Sequence, residues 1–543
     1  MTQYTLTVVD TTGIQDYIFG TNQLKQNVGA SYLVDCATRK WVAESLPRPN
    51  NVRDLGTANP FTDLTIEDDD LVAEVVYAGG GNTMIIFTGH AEGDAVSFAR
   101  RLTRKVLLDA PGLEIVLAHQ EFDWQGNVAL GGKNGVVGCV MEKMALKKAN
   151  HLASSPLIGL GVTAACTFTG LPAVGYDHKR SSRLISTEVE AKLKAEPQAN
   201  DRLKQLFKFR CWEPAREFKD LGSTLGESSY IAVIHTDGNG IAKRIQGIRD
   251  KFDRPFQNRN YIQEMRSFSI SLQQAAQESL QSTIDKLIQS IHCERGNKFI
   301  GRNNEIELQN KILPFRPIVF GGDDVTFICD GRLGLGLAAH YLQMFSNHLL
   351  SDGPDGKPAY CRGGIAVVKT HYPFSRAYAL AEELCRSSKE YISKRQHTPY
   401  NEEGLTAMDW HFAVSGLARD LKDVRDREYT KNRLGDLLMR PVRLSDPEKD
   451  WQSWDRFLRI AREFQSDDGP WSGRHNKIKA LQNALRAGPA GVEQFLKVND
   501  ISELPKIPER LDMAQKGWQG DRCGYFDAIE AMDFLVSLEG DCR

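Results

Sequence analysis

The sequence predicts an α+β chain: two ferredoxin-like sheet domains, a linker domain between them, and a C-terminal helical domain. Three observations carry that prediction. The element order β-α-β-β-α-β can be read from apolar periodicity over residues 4–118 and again over 230–368. Each pass places a glycine-rich tight turn between its two central strands, Gly79-Gly80-Gly81-Asn82 in the first and Gly321-Gly322-Asp323-Asp324 in the second. Each pass also ends in a lysine-bearing helix, 144–150 and 379–391, and Lys389 follows Asp323 at the same spacing as Lys147 follows Gly81. The boundaries are then 1–150, 151–226, 227–395 and 396–543, with the first unit a degenerate relative of the second.

In the first pass, 4–9 reads as a strand ending at Asp10, and Leu24, Val28, Leu33 and Cys36 fall on one helical stripe. A polar connection, 50–70, leads to strands at 71–77 and 84–87, a helix at 95–108 that stops before Pro111-Gly112, and a strand at 113–118. The second pass has a strand at 230–236, a long helix within 262–293, a hairpin of 317–320 and 325–329, a helix at 333–350 and a strand at 363–368. The stretch 151–226 is mixed, with Gly- and Pro-bearing turns. Beyond Pro399 the pattern is mostly helical, at 413–422, 454–464, 478–485 and 526–538, and the tryptophans at 410, 451, 454, 471 and 518 suit packing between helices better than base stacking.

Composition narrows the function. At 543 residues the chain is long enough for several domains, and its 41% hydrophobic and 25% charged content is that of a soluble globular protein. Basic and acidic residues nearly cancel, at 68 against 70, which argues against a dedicated nucleic-acid coat. No stretch approaches a membrane span and the N-terminus lacks a signal peptide's pattern, so no membrane association and a cytoplasmic location are expected. The ten cysteines include no C-x-x-C pair, which suits reduced thiols and predicts no zinc site.

The chemistry sits at the strand ends. Glycine supplies the positive φ that tight turns use and aspartate tolerates turn geometry, so Gly321-Gly322-Asp323-Asp324 is at the least a good turn. A second acidic strand end, Asp237 before Gly238-Asn239-Gly240, raises the functional reading, because an interleaved sheet sets its first strand beside the central hairpin. Three carboxylates at one edge, Asp237, Asp323 and Asp324, suit two Mg²⁺ ions roughly 3.5–4 Å apart, with the Gly238 carbonyl as a further ligand; Mn²⁺ would serve as well. The glycine loop brings backbone N–H groups towards phosphate, and Lys389 offers a point charge for it. Phosphoryl or nucleotidyl transfer is the reaction class these groups support.

These motifs resemble the palm-domain large subunit of type III CRISPR effector complexes and, more distantly, the diguanylate cyclases with their GGDEF turn. The matching stretches are DGNG at 237–240, PFRPIVFGGDDVTF at 314–327, HYPFSRAYALAEELCRSSK at 371–389, GIQDYIF at 13–19, GAS at 29–31, YAGGGN at 77–82, CTFTGLPA at 166–173 and YFDAIEAMDF at 525–534, together spanning nearly the whole chain. The resemblance implies two nucleotidyl cyclase-like palms and polymerisation of ATP into 3′–5′ linked cyclic oligoadenylate with release of pyrophosphate, for a downstream effector that senses the cyclic product. It implies that Asp237, Asp323 and Asp324 bind the metals, that Gly321 and Gly322 keep the turn open, and that Lys389 contacts phosphate, although Ser388 stands where the family has alanine. It further implies that Gly79, Gly80, Gly81 and Asn82 line an acceptor ATP and that Ser31 bonds the adenine edge, against the plain alternative of an ordinary helix serine.

Two features depart from that family. None of the twelve histidines is followed by aspartate, so the HD nuclease motif is absent and no DNase activity is expected; Cys166 and Cys211 stand alone where the family has a zinc-binding set. The chain therefore reads either as a reduced subunit, with CRISPR effector subunits and guide or target RNA as partners, or as a standalone relative. A non-catalytic palm scaffold and a cyclic dinucleotide synthase are the alternatives, the first disfavoured because clustered carboxylates without a cation repel one another.

Overall fold

The structure, a computed structural model, describes residues 3–150, 161–177, 182–221, 229–295, 297–301, 305–308, 311–353, 356–396, 404–413, 420–431, 434–444, 450–466, 468–508 and 510–538. The first sheet is made by β1 (Gln3–Thr12), β2 (Ala73–Gly79), β3 (Asn82–Thr88) and β4 (Glu114–Asp123). Its order is β2-β3-β1-β4 and every neighbouring pair is antiparallel. Helices α1 (Ile14–Phe19), α2 (Leu24–Asp35), α3 (Asp94–Asp109) and α4 (Val136–Ala149) complete it. The crossovers from β1 to β2 and from β3 to β4 each skip one strand, which is the interleaved order the periodicity predicts.

A long helix, α5 (Thr187–Leu206), runs through the segment expected to be a mixed linker. Its charged sequence and its internal Pro197 hide it from a periodicity reading. It lies so close along α2 that a Cβ on Gly29 would meet the Lys192 carbonyl oxygen at 1.9 Å.

The second sheet repeats the order and then outgrows it. Its elements are β5 (Tyr230–Gly238), α6 (Ile241–Lys251), α7 (Asn258–Gln289), β6 (Phe315–Phe320), β7 (Val325–Asp330), α8 (Gly334–Ser346), β8 (Cys361–Lys369), α9 (Phe374–Gln396), β9 (Ala407–Ala413) and β10 (Val442–Arg443). The order is β6-β7-β5-β8-β9-β10, with β9 parallel to β8 across the α9 crossover. Strand β9 lies past residue 395, where a helical region was expected to begin. Its sequence AMDWHFA is buried at every position, so it lacks the in-out alternation that marks a strand. The helix expected over 413–422 is not found as such: Ala413 ends the strand, 414–419 lie outside the described residues, and α10 (Leu421–Glu428) starts at an Asp420 cap. The helical end is α11 (Trp454–Gln465), α12 (His475–Arg486), α13 (Pro489–Val498) and α14 (Phe526–Ala531), the last followed by a 3₁₀ turn rather than helix to 538. All five tryptophans are buried, and Trp410 packs from β9 against Phe457 of α11 at 4.8 Å between ring centres. Among the described residues no helix is long and apolar enough to cross a membrane.

Both sheets are covered on both faces, and strand alternation sorts their side chains into two shared cores. Leu6 and Val8 join Ile234, Phe327 and Val367 in one, while Val9 and Ile85 join Val233, Ile328 and Val368 in the other. The halves also exchange helix contacts. From the first, α2 lies on β6, where the Ser31 hydroxyl donates to the Ile318 carbonyl at 2.5 Å. From the second, α7 lies on β2, where Arg259 and Arg266 reach the fully buried Glu74 at 2.6 and 2.9 Å. Burial alone would raise the Glu74 pKa, but the two guanidiniums and the Ile66 N–H hold it below the usual carboxylate value. Glu74→Gln keeps the shape but takes the carboxylate away from Arg266 and leaves Arg259 with Glu67 alone. It is expected to cost about 3–5 kcal/mol, read as a lowered denaturation midpoint with secondary structure retained.

Candidate functional site

The strand register assembles the site. Thr236 of β5 pairs with Val325 of β7, so the next residue, Asp237, lies level with Asp324 at the sheet edge. On its other side Asp237 is the cross-strand partner of Arg362 on β8. Asp323 folds over the end of β5: a Cβ on Gly238 would come within 2.7 Å of the Asp323 Cβ, so only glycine lets the turn lie across the strand. The three sequence-predicted acids therefore share one edge.

The glycines of the two turns do different work. Gly80 and Gly81 have φ of +61° and +82°, the two-residue hairpin geometry that a side chain resists. Gly321 and Gly322 do not have positive φ, contrary to the expectation for this turn. At Gly322 the need is space, since a Cβ there would meet the Gly80 Cα at 3.1 Å, whereas one on Gly321 would make ordinary contact with an Arg39 nitrogen at 3.4 Å. The turn carrying Asp323 and Asp324 thus abuts the Gly79–Asn82 turn of the other sheet. Arg39 ties them, donating to the Gly321 carbonyl at 3.0 Å.

Two basic residues that the sequence reading passed over lie beneath the acids. The Arg362 guanidinium pairs with Asp237 and also donates to the Gly238 carbonyl at 3.1 Å. His235 Nδ1 stands 3.2 Å from Asp324 Oδ1, with 6% of its side chain exposed against 45% for Asp324. The acids open outward while their bases are buried. Burial works against charge on His235, but Asp324, then Asp237 and Glu382, outweigh it and raise its pKa. Burial and then Asp324 push Asp237 up against the pull of Arg362. Burial, then Asp237 and Asp324, push Asp323 up to about 7. A histidine one residue before a predicted strand-end acid's neighbour, in the run IHTDG, was the available signal for His235; Arg362 had none, because only the β5–β8 pairing brings it there.

The remaining predicted residues are placed as follows. The Asn239 N–H is taken by the Tyr360 carbonyl at 2.7 Å, and Gly240, at φ +78°, starts α6, whose first N–H groups face no intrahelical acceptor. Lys389 is exposed on α9, and its charge is felt at Asp237. Ser388 is buried and donates to the Gly363 carbonyl at 2.9 Å, fastening α9 to β8. Ser31 sits in the contact between halves, its hydroxyl engaged by Ile318. In the first sheet Asp10 occupies the register position of Asp237, opposite Asn82, and its cation is Lys148 at 2.6 Å; Lys147, the residue matched by spacing to Lys389, donates instead to the Leu117 carbonyl.

Oxygen donors of this kind suit Mg²⁺ or Mn²⁺. Among the described residues no three His, Cys, Asp or Glu side chains are already converged tightly enough to hold an ion. The donor set fits the cation in kind, with side-chain rotation left to close it.

Asp323 gives a pH signature. Its carboxyl stays protonated in the folded chain where the unfolded one has ionised, so folding takes up a proton and stability falls as pH rises from about 4 to about 7. Asp323→Asn is therefore expected to raise the metal-free thermal midpoint at about pH 8 and to change it little at about pH 4.

No protein-family model and no curated protein matches the chain. Solved structures do. A Csm1–Csm4 cassette in complex with pppApApA matches with a TM-score of 0.53 at 13% identity, over 98% of this chain and 69% of that one. The cassette in complex with cA4 matches at 0.52 and 13%, again over 98% and 69%. The cassette in complex with one ATP matches at 0.52 and 14%, over 98% and 70%. At such identities the shared property is architecture: over nearly its whole length this chain has the fold of the Csm1 large subunit of type III CRISPR complexes.

Proposed function

We propose that the chain is a metal-dependent nucleotidyltransferase that condenses ATP into cyclic oligoadenylate through 3′–5′ links, with pyrophosphate released. The observation that carries this reading is the gathering of Asp237, Asp323 and Asp324 at one sheet edge, directly against the glycine turn of the first, acid-poor sheet. One face can hold the triphosphate being attacked and the other the nucleotide that supplies the 3′-hydroxyl. The solved structures of the same fold, with one ATP, pppApApA and cA4 bound, support the substrate and product class.

In this reading Asp237, Asp323, Asp324 and the Gly238 carbonyl would hold two Mg²⁺ or Mn²⁺ ions, which supply charge neutralisation of the triphosphate and activation of the hydroxyl. The chain's own groups bind and orient. The N-terminus of α6, behind Gly240, offers backbone donors to phosphate, and Lys389 adds an exposed charge from α9. Gly79, Gly80, Gly81 and Asn82 shape the acceptor side without adding carboxylates.

The domain division belongs to the same proposal: a degenerate palm over 1–150, a linker over 151–226, a catalytic palm from 227 and a helical C-terminal domain, with β9 extending the catalytic sheet past 395. The proposed partners are a subunit of the Csm4 kind, which the fold likeness supports, guide or target RNA, and a cyclic-oligonucleotide-sensing effector.

Purified protein incubated with ATP and Mg²⁺ or Mn²⁺, with products resolved by mass spectrometry, tests the reading. Cyclic oligoadenylate is expected from the wild type. The Asp323→Ala, Asp324→Ala double variant should lose at least about 10²-fold in rate while keeping its secondary structure, because both residues lie in an edge turn outside the core. Undiminished product from that variant would refute the assignment, and a cyclic dinucleotide as sole product would replace the polymer reading with that of a two-nucleotide cyclase.

A further inference from the structure

The residue to which nothing so far assigns a role is Arg362. It projects from β8, is nine-tenths buried at the side chain, and engages two oxygens at once, a carboxylate oxygen of Asp237 and the carbonyl of Gly238. Those are two of the four ligand groups assigned to the cations. A guanidinium fork spans two oxygens at about the reach over which a cation would bind both.

We propose that Arg362 is the resting counter-ion of this site: it holds Asp237 and the Gly238 carbonyl in place before a divalent cation arrives, and the cation must displace it to bind. The inference rests on the reading of Asp237, Asp323 and Asp324 as metal ligands.

The first sheet shows what such a pair does when left to itself. Asp10 stands at the register position of Asp237, and Val116 stands where Arg362 does. The cation comes from α4 instead, as Lys148 at 2.6 Å. Gly81 and Asn82 take the places of Asp323 and Asp324. One carboxylate meets one ammonium, and the charge is closed. In the second sheet Arg362 pairs with Asp237 and His235 with Asp324, and Asp323 stands beside both acids. A doubly charged ion among these carboxyl oxygens interacts with several of them at once, so it gains more at Asp237 than a singly charged guanidinium does. Displacement is then favourable but opposed, and the opposition sets how much free cation the site needs.

Titration of the full chain with Mn²⁺ in the absence of nucleotide, following free Mn²⁺ by electron paramagnetic resonance, measures this without turnover. Arg362→Met is expected to bind Mn²⁺ about tenfold more tightly than the wild type, and Arg362→Lys, which cannot span both oxygens, to fall between them. The metal-free thermal midpoint should drop in Arg362→Met and recover on adding Mn²⁺, with a larger metal-induced shift than in the wild type. Equal or weaker Mn²⁺ affinity in Arg362→Met and Arg362→Lys, with binding abolished in the Asp323→Asn, Asp324→Asn double variant, would overturn the counter-ion role and leave the metal site standing. Absence of Mn²⁺ binding in the wild type and in both Arg362 variants would overturn the metal-ligand reading along with it.

Discussion

Electrostatic crowding at one sheet edge is the constraint to which the neighbouring structure answers. Three carboxylates stand where β5 ends and the β6–β7 turn begins, and like charges at that spacing oppose one another. Arg362 from the neighbouring strand β8 and His235 from β5 itself offset part of that charge. Gly238 gives up its side chain so that Asp323 can lie across the strand end, and Gly322 gives up its own so that the turn can meet Gly80. Each of these features is explicable once the register is fixed, and none is required by the sheet alone.

The two halves are related in build but not in charge. Their sheets share the order of the first four strands, their strands feed two common cores, and each lends a helix to the other's hairpin edge, α2 to β6 and α7 to β2. Glu74 with Arg259 and Arg266 fixes one of these contacts, while Ser31 and Arg39 fix the other. The consequence is that the glycine turns come face to face, an acid-rich one against an acid-poor one. A site divided in this way has two unlike sides, as the proposed condensation of two copies of one substrate would need.

Much of this was legible beforehand. The interleaved strand order, the edge position of Asp237, Asp323 and Asp324, and the packing of the tryptophans follow from periodicity and turn chemistry, because those are local properties that a linear sequence carries. Strand β9 was missed because burial on both faces erases alternation, and α5 because a charged helix with an internal proline lacks an apolar stripe. The reason given for Gly321 and Gly322 was also incomplete. Neither has a positive φ, and what Gly322 accommodates is Gly80, more than 200 residues away in sequence.

The sequence by itself determined which groups carry charge and where each strand ends, since a run of apolar residues closed by aspartate and glycine has few other ways to fold. Only the tertiary structure decided which cations those acids meet. Arg362 is 125 residues from Asp237, and it reaches that carboxylate through the β5–β8 register. Lys148 rather than Lys147 faces Asp10, because α4 turns the first towards the strand end and the second towards the Leu117 carbonyl. Long-range pairing is set by how sheets and helices pack, and packing depends on the whole chain at once, so the partners of a charged residue are not written beside it.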